Sequence, residues 1–291
     1  PRNTAGGTLD AGSNDALDLA PGQTGAASSG GQIDFGGAYV IDEGTTFQLS
    51  SGADLSVATF LNIGVGSDGT LVVDGNGSTV TAPGTSFWGS NGTANVTFSN
   101  RAGGDMGVLR LADAPFVAGV GNLTIESQAL LRTGDLLMAT TSSDATATLT
   151  IDGTNSLLEQ DLAGAVLTIG SATGGTGTIN IQNGGTLTTN TGTTMINATG
   201  TIDVGMLGEG TLNAIGPVKI VGGTLNVGDF NDLLLDAGQT LTASNDGQVN
   251  FNGSYAIDDG TTFEINSGAD LVVNNFLDIG TGSDGTLVVD G

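Results

Sequence analysis

Leu71, Val96, Leu123, Leu149 and Ile179 each anchor a short run in which apolar residues alternate with Thr, Asn or Asp. They follow one another along the chain at steps of 25, 27, 26 and 30. Alternation of period two marks strands with one buried face. A strand of about five residues cannot bury itself. Set on a like strand one coil below, it pairs its backbone and shares an apolar column with it. Short strands recurring every 20–50 residues therefore predict a solenoid. The expected fold is all-β: a single-stranded parallel β-helix (β-solenoid) of roughly 25–30 residues per coil, with no capping elements in this stretch of sequence. At about 26 residues per coil the chain makes about 11 coils, and at ~4.8 Å per coil the rod is on the order of 50 Å long. The competing arrangement is an antiparallel sandwich of the same strands.

A second marker precedes several of the runs. It reads Leu61-Asn62-Ile63-Gly64, Phe87-Trp88-Gly89, Leu167-Thr168-Ile169-Gly170 and Leu277-Asp278-Ile279-Gly280. One coil thus reads as apolar-x-Ile-Gly, a polar turn, then Gly-Thr-Leu-x-Val. Gly makes up 51 of 291 residues, against an average near 7%, and supplies corners that need φ > 0. Helical signals are nearly absent; Leu157–Ala165 reads as a weak helix, a loop or a bulge. After about residue 195 the runs quicken, at Ile202, Leu212 and Leu225, and coils are not assignable from the spacing.

On a longer scale the chain repeats itself. Pro1–Gly75 aligns without a gap with Pro217–Gly291, and 44 of the 75 positions are identical. Residues 1–216 are read as one full unit and 217–291 as the start of a second copy in one continuous solenoid. Such a chain looks like a window onto a longer periodic molecule.

Charge narrows the function classes. There are 30 Asp and Glu against 5 Lys and Arg, a net charge of −25. Nucleic acid would require a basic footprint, and an anionic membrane surface repels this chain. No apolar run approaches the roughly 18 residues that a membrane-spanning helix needs. Cys and His are both absent, which removes disulfides, thiolate metal sites and the commonest general base.

Candidate sites are few. Parallel β-helices that cleave polysaccharides need a carboxylate cluster in a groove, commonly with a basic residue. The basic residues here are Arg2, Arg101, Arg110, Arg132 and Lys219, and Arg101, Arg110 and Arg132 are spaced so that they could share a face. Calcium needs six to eight oxygens, which acidic turns supply. Asp42-Glu43 recurs as Asp258-Asp259, and Asp68 recurs as Asp284, so these six are the candidate Ca2+ ligands; Asp54 and Asp74 recur as Asp270 and Asp290. Neither a nine-residue Gly-Gly-x-Gly-x-Asp repeat nor an EF-hand pattern accompanies them. No cofactor is required on this reading. Tyr39, Phe87, Trp88, Phe98 and Phe116 read as exposed and either stack on sugars or fill solenoid corners or bulges. Asn-x-Ser/Thr triplets begin at Asn76, Asn91, Asn95, Asn122, Asn197 and Asn252; a chain rich in Asn and Thr contains them by chance, and they carry no glycosylation argument.

The phrases Leu61-Asn62-Ile63-Gly64…Gly69-Thr70-Leu71-Val72-Val73-Asp74-Gly75 and Leu167-Thr168-Ile169-Gly170…Gly177-Thr178-Ile179-Asn180-Ile181 resemble a bacterial repeat. It occurs in the passenger domains of autotransporter (type V secreted) proteins and in exosortase-sorted (PEP-CTERM) surface proteins. The resemblance covers about 60–98 and 147–230 and is weaker between 100 and 145. It implies an extracellular β-helix in an adhesin-like protein and brings no catalytic residues. Together these readings predict a non-enzymatic, extracellular structural protein that forms a filament, matrix fibre or surface layer by end-to-end stacking. Its partners are then itself and extracellular polysaccharide. The runner-up is the stalk of a secreted adhesin, and a polysaccharide-degrading enzyme is the remote alternative.

Overall fold

The computed structural model describes residues 2–10, 19–113, 118–229 and 231–291. Among these there are 33 strands and no helix, and every ladder between strands is parallel and joins one coil to the next. The fold is a β-solenoid of about eleven coils, with twelve strands stacked along its first face.

Each coil has three faces, one more than the two apolar runs per coil read from the sequence. One coil runs Thr45–Ser50, Asp54–Val57 and Leu61–Ile63; the next begins at Gly69–Asp74. On the first face Phe47 lies under Leu71, then Val96, Leu123, Leu149, Ile179, Ile202, Leu225 and Val249, all buried. The second face stacks Ile33, Leu55, Val80, Gly104, Leu131, Leu158, Leu187 and Leu212. The third stacks Ile41, Ile63, Trp88, Leu111, Met138, Ile169, Ile196 and Ile220. Strands Thr79–Trp88 and Gly103–Leu111 run from the second face into the third without a break.

The steps read from sequence between Leu71 and Ile179 are the actual coil registers. The later runs also resolve. Ile202 and Leu225 continue the first face, whereas Leu212 belongs to the second. Coil length varies more than the spacing implied. The step from Val249 to Leu271 is tighter than any between Leu71 and Ile179, and the step from Leu149 to Ile179 is the longest on this face. Leu157–Gln160 is a strand on the second face, not a helix.

The glycine of the apolar-x-Ile-Gly marker has a backbone cause. Gly64, Gly170 and Gly280 all have φ +67° and Gly89 has φ +78°, a region that L-residues enter at a cost. At Gly170 a Cβ would fall against the backbone of Thr199 and Gly200 in the next coil. Interior gaps are filled by aromatics: Phe35 stacks on Tyr39 at 3.8 Å, and their counterparts Phe251 and Tyr255 stack at 4.2 Å. Gly104 interrupts its column of large residues because Phe98 and Leu131 occupy the space of its absent side chain.

Candidate functional site

The two copies of the repeat meet without a seam. Thr194 pairs with Val218 and Val218 with Leu241, while Ile202 pairs with Leu225 and Leu225 with Val249. The copy boundary, just before Pro217, lies in a corner inside this ladder, where the Thr194 N–H donates to the Pro217 carbonyl at 3.0 Å.

The acids that recur between copies point to neighbouring coils. Asp54 Oδ1 accepts from the Thr79 hydroxyl at 2.5 Å, and Asp68 Oδ1 from the Thr93 N–H at 3.0 Å. Asp74 Oδ1 accepts from Ser99 at 2.7 Å and from Asn100 at 2.6 Å. These hydrogen bonds, Ser99 first, hold the Asp74 carboxyl below its ordinary pKa against the opposing effect of burial. Hydrogen bonds to an ionised acceptor are among the stronger ones, so the acids staple one coil to the coil above.

The candidate calcium ligands sit in tight corners. Glu43 and Asp259 both have φ +52°. The Glu43 N–H donates to Ser67 Oγ at 2.6 Å, and the Gly44 N–H to the Asp68 carbonyl at 2.7 Å. In the second copy the Asp259 N–H donates to Ser283 Oγ at 2.5 Å, and the Gly260 N–H to the Asp284 carbonyl at 2.5 Å. The pairs Asp42-Glu43 and Asp258-Asp259 thus each stack against the coil carrying Asp68 or Asp284. Among the described residues no group of three or more Asp and Glu stands close enough to hold a metal ion.

The three central arginines do not share a face. Arg110, on the third face, donates to Asp113 at 2.9 Å and lies over the Phe87 ring at 5.4 Å. Arg132, on the second, pairs with Glu159 of the next coil at 3.1 Å. Arg101, at the corner between first and second faces, donates to Gln128 at 2.7 Å. Of the aromatics weighed as sugar platforms, Trp88, Phe98 and Tyr39 are buried, so they pack the interior. The Trp88 indole N–H donates to the Leu61 carbonyl at 3.0 Å. Phe87 is half-buried under Arg110, and Phe116 lies outside the described residues.

Two features escaped the spacing. Asp113 is fully buried and accepts from Arg110, from the N–H and hydroxyl of Thr140 at 2.9 and 2.6 Å, and from the Thr141 hydroxyl at 2.8 Å. It ties a corner to the loop of the next coil; a lone Asp in Leu-Ala-Asp-Ala-Pro gives no periodic signal. The second is an open acidic groove of about 700 Å³ lined by Glu209, Asp229, Asn231, Asp232, Asn252 and glycines. Asp232 is buried there against Gly205 and accepts from the Asp229 N–H at 2.7 Å. Burial raises its pKa; two backbone hydrogen bonds oppose this, and the nearby Asp229 and Glu209 charges add to it. None of the three arginines described above lines this groove.

No protein-family model and no curated protein matches the chain. Among solved structures it is similar to a crystal structure of a TibC-catalysed hyper-glycosylated TibA fragment, residues 55–350. Identity is 16%, with 100% of this chain and 98% of that chain covered and a TM-score of 0.26.

Proposed function

We propose that this chain is a segment of an extracellular structural strut, built to extend by stacking coil on coil into a filament, matrix fibre or surface layer. The observation that carries the reading is the seamless ladder through residues 194–249, in which a second copy of the unit continues the rod as one more stretch of the same interior. A chain whose copies share one hydrophobic column gains length by repetition alone, because each coil contacts only its neighbours. The outer positions of the first face carry Thr and Asn, such as Thr97, Thr124, Thr150 and Asn180 in one column. They keep the wall polar, and the charge of −25 opposes lateral clumping. The partner of the unit on this reading is the unit itself. The dispersal of Arg101, Arg110 and Arg132 over different parts of the coil, each engaged with a neighbour, favours a non-catalytic role.

The adhesin-stalk reading uses the same rod and rests on the motif resemblance to autotransporter and exosortase-sorted surface proteins. Electron microscopy of native material separates the two. The strut predicts long rods with an axial period near one unit, on the order of 40 Å. Short stalks rooted in an outer membrane would favour the adhesin, and compact particles would overturn both.

A further inference from the structure

The repeat unit and the coil are out of step. Thr24–Ser28 lies on the first face, and eight coils later that face is occupied by Thr224–Val227. The counterpart of Thr24–Ser28 in the second copy is Thr240–Ser244. It lies two faces beyond, on the third face, paired to Val218–Val221 below and Thr262–Asn266 above. The same displacement holds throughout. Gln32–Phe35 is on the second face and its copy Gln248–Phe251 on the first; Thr45–Ser50 is on the first and its copy Thr262–Asn266 on the third. One unit therefore spans eight and two-thirds coils.

In the first copy the positions equivalent to the upper edge of the second are covered by the next coil. Ile63 and Val73 are fully buried because Trp88 and Phe98 of the next coil stand on them. Their counterparts Ile279 and Val289 are 45% and 70% exposed. Asp54, Asp68 and Asp74, which accept from Thr79, Thr93 and Ser99 of that covering coil, recur on this upper edge as Asp270, Asp284 and Asp290. The edge thus has the apolar seats and the acceptors for a coil like Thr79–Ser99 of the same unit.

We propose that a further copy of this unit, entering at the residue equivalent to Asn76, is the occupant of the Asp270–Asp290 edge, and that each added copy is turned by one third of a revolution from the last. The proposal rests on the strut reading and adds its geometry. Three units make 26 whole coils, about 125 Å at ~4.8 Å per coil, before any feature returns to the same side. A head-to-tail contact whose rotation does not close at once builds an open screw. Each surface patch of the unit is then presented on three sides in turn. The acidic corner at Asp42-Glu43, between the third and first faces, reappears at Asp258-Asp259 between the second and third. A partner that grips one patch would meet it in three rows around the rod.

The test lengthens the full chain by copies of residues 76–291 placed after Gly291, which recreates the Gly75–Asn76 junction. The chain has no cysteine, so a thiol at Val289→Cys reports on the edge alone. It should react rapidly in the original chain and at least 100-fold more slowly in the lengthened one. Val288→Cys, whose counterpart Val72 faces outward, should stay reactive in both. Unchanged reactivity at position 289 would refute the docking. Electron cryomicroscopy of a chain with three added copies should show density that superposes after one unit only with a one-third turn. Superposition without rotation would refute the screw while leaving the strut intact; lengthened chains that form no longer rod would refute the strut itself.

Discussion

Replacing Asp113 by Ala removes a fully buried carboxylate that gathers the Arg110 guanidinium, the Thr140 N–H and the hydroxyls of Thr140 and Thr141. Arg110 is partly open to water, its side chain 26% exposed, so it can be rehydrated and adds little to the loss. The Thr140 N–H and the two hydroxyls lose a charged acceptor, and a hydrogen bond to a charged group contributes about 1.5–3 kcal/mol. Partial hydration of the threonines reduces their sum, which leaves about 3–5 kcal/mol. The assay is built in: the single tryptophan, Trp88, has its carbonyl bonded by the Ala112 N–H and its column continued by Leu111. Urea unfolding followed by its fluorescence should shift to lower denaturant by about 1 M or more, taking a slope of roughly 3 kcal/mol/M. Asp144→Ala, an exposed acid in the same loop, should stay within about 0.5 kcal/mol of the parent. A shift for Asp113→Ala no larger than that of Asp144→Ala would refute the assignment of Asp113 as the tie between coils.

Gly170→Ala forces a Cβ onto the backbone of the next coil at φ +67° and should cost about 2–4 kcal/mol from strain and overpacking together, read by denaturant melting. Asp232 has a raised folded-state pKa. It therefore weakens the fold above that pKa, and the penalty fades as pH falls toward the unfolded value of 3.8. Asp232→Asn should be at least as stable as the parent at pH 7 and lose its advantage near pH 4. Asp74 behaves oppositely: its depressed pKa contributes stability present above 3.8 and lost as pH falls below it, visible as a low carboxyl titration midpoint by NMR. Burial and the Asp258 charge push the Tyr255 phenol well above its ordinary value of 10. Its ultraviolet titration should stay silent through pH 11, and stability should decline above pH 10 as the unfolded chain alone ionises.

The stacking was legible because each coil carries one strong first-face run. Thr70–Val73, Asn95–Phe98 and Asn122–Ile125 pair in the register their spacing implies. Beyond residue 195 the first-face step shortens, as between Ile202 and Leu225, and a second-face residue, Leu212, intervenes with the same Gly-Thr-Leu flank. A reader of spacing alone merges two columns into one. The recurring acids were legible as a repeat but not as staples, since their donors lie one coil on: Thr79 for Asp54, Thr93 for Asp68. The arginines failed as a group because they are not whole coils apart. At that height one coil carries Arg132 to Glu159, and neither the step from Arg101 to Arg110 nor that from Arg110 to Arg132 is as long.

Pulsed electron spin distances report on whether the coils are parallel and stacked in register. Thr97, Thr124, Thr150, Asn180, Asp203, Asn226 and Asn250 form one outward column on the first face. Spin labels at Thr124→Cys and Asn226→Cys, four coils apart, should lie about 19 Å apart, and at Thr97→Cys and Asn250→Cys, six coils apart, about 29 Å. Parallel stacking predicts distances that grow by ~4.8 Å per coil, whatever the number of residues between. Distances that fail to grow with coil number, as strands folded back against one another would give, would contradict it.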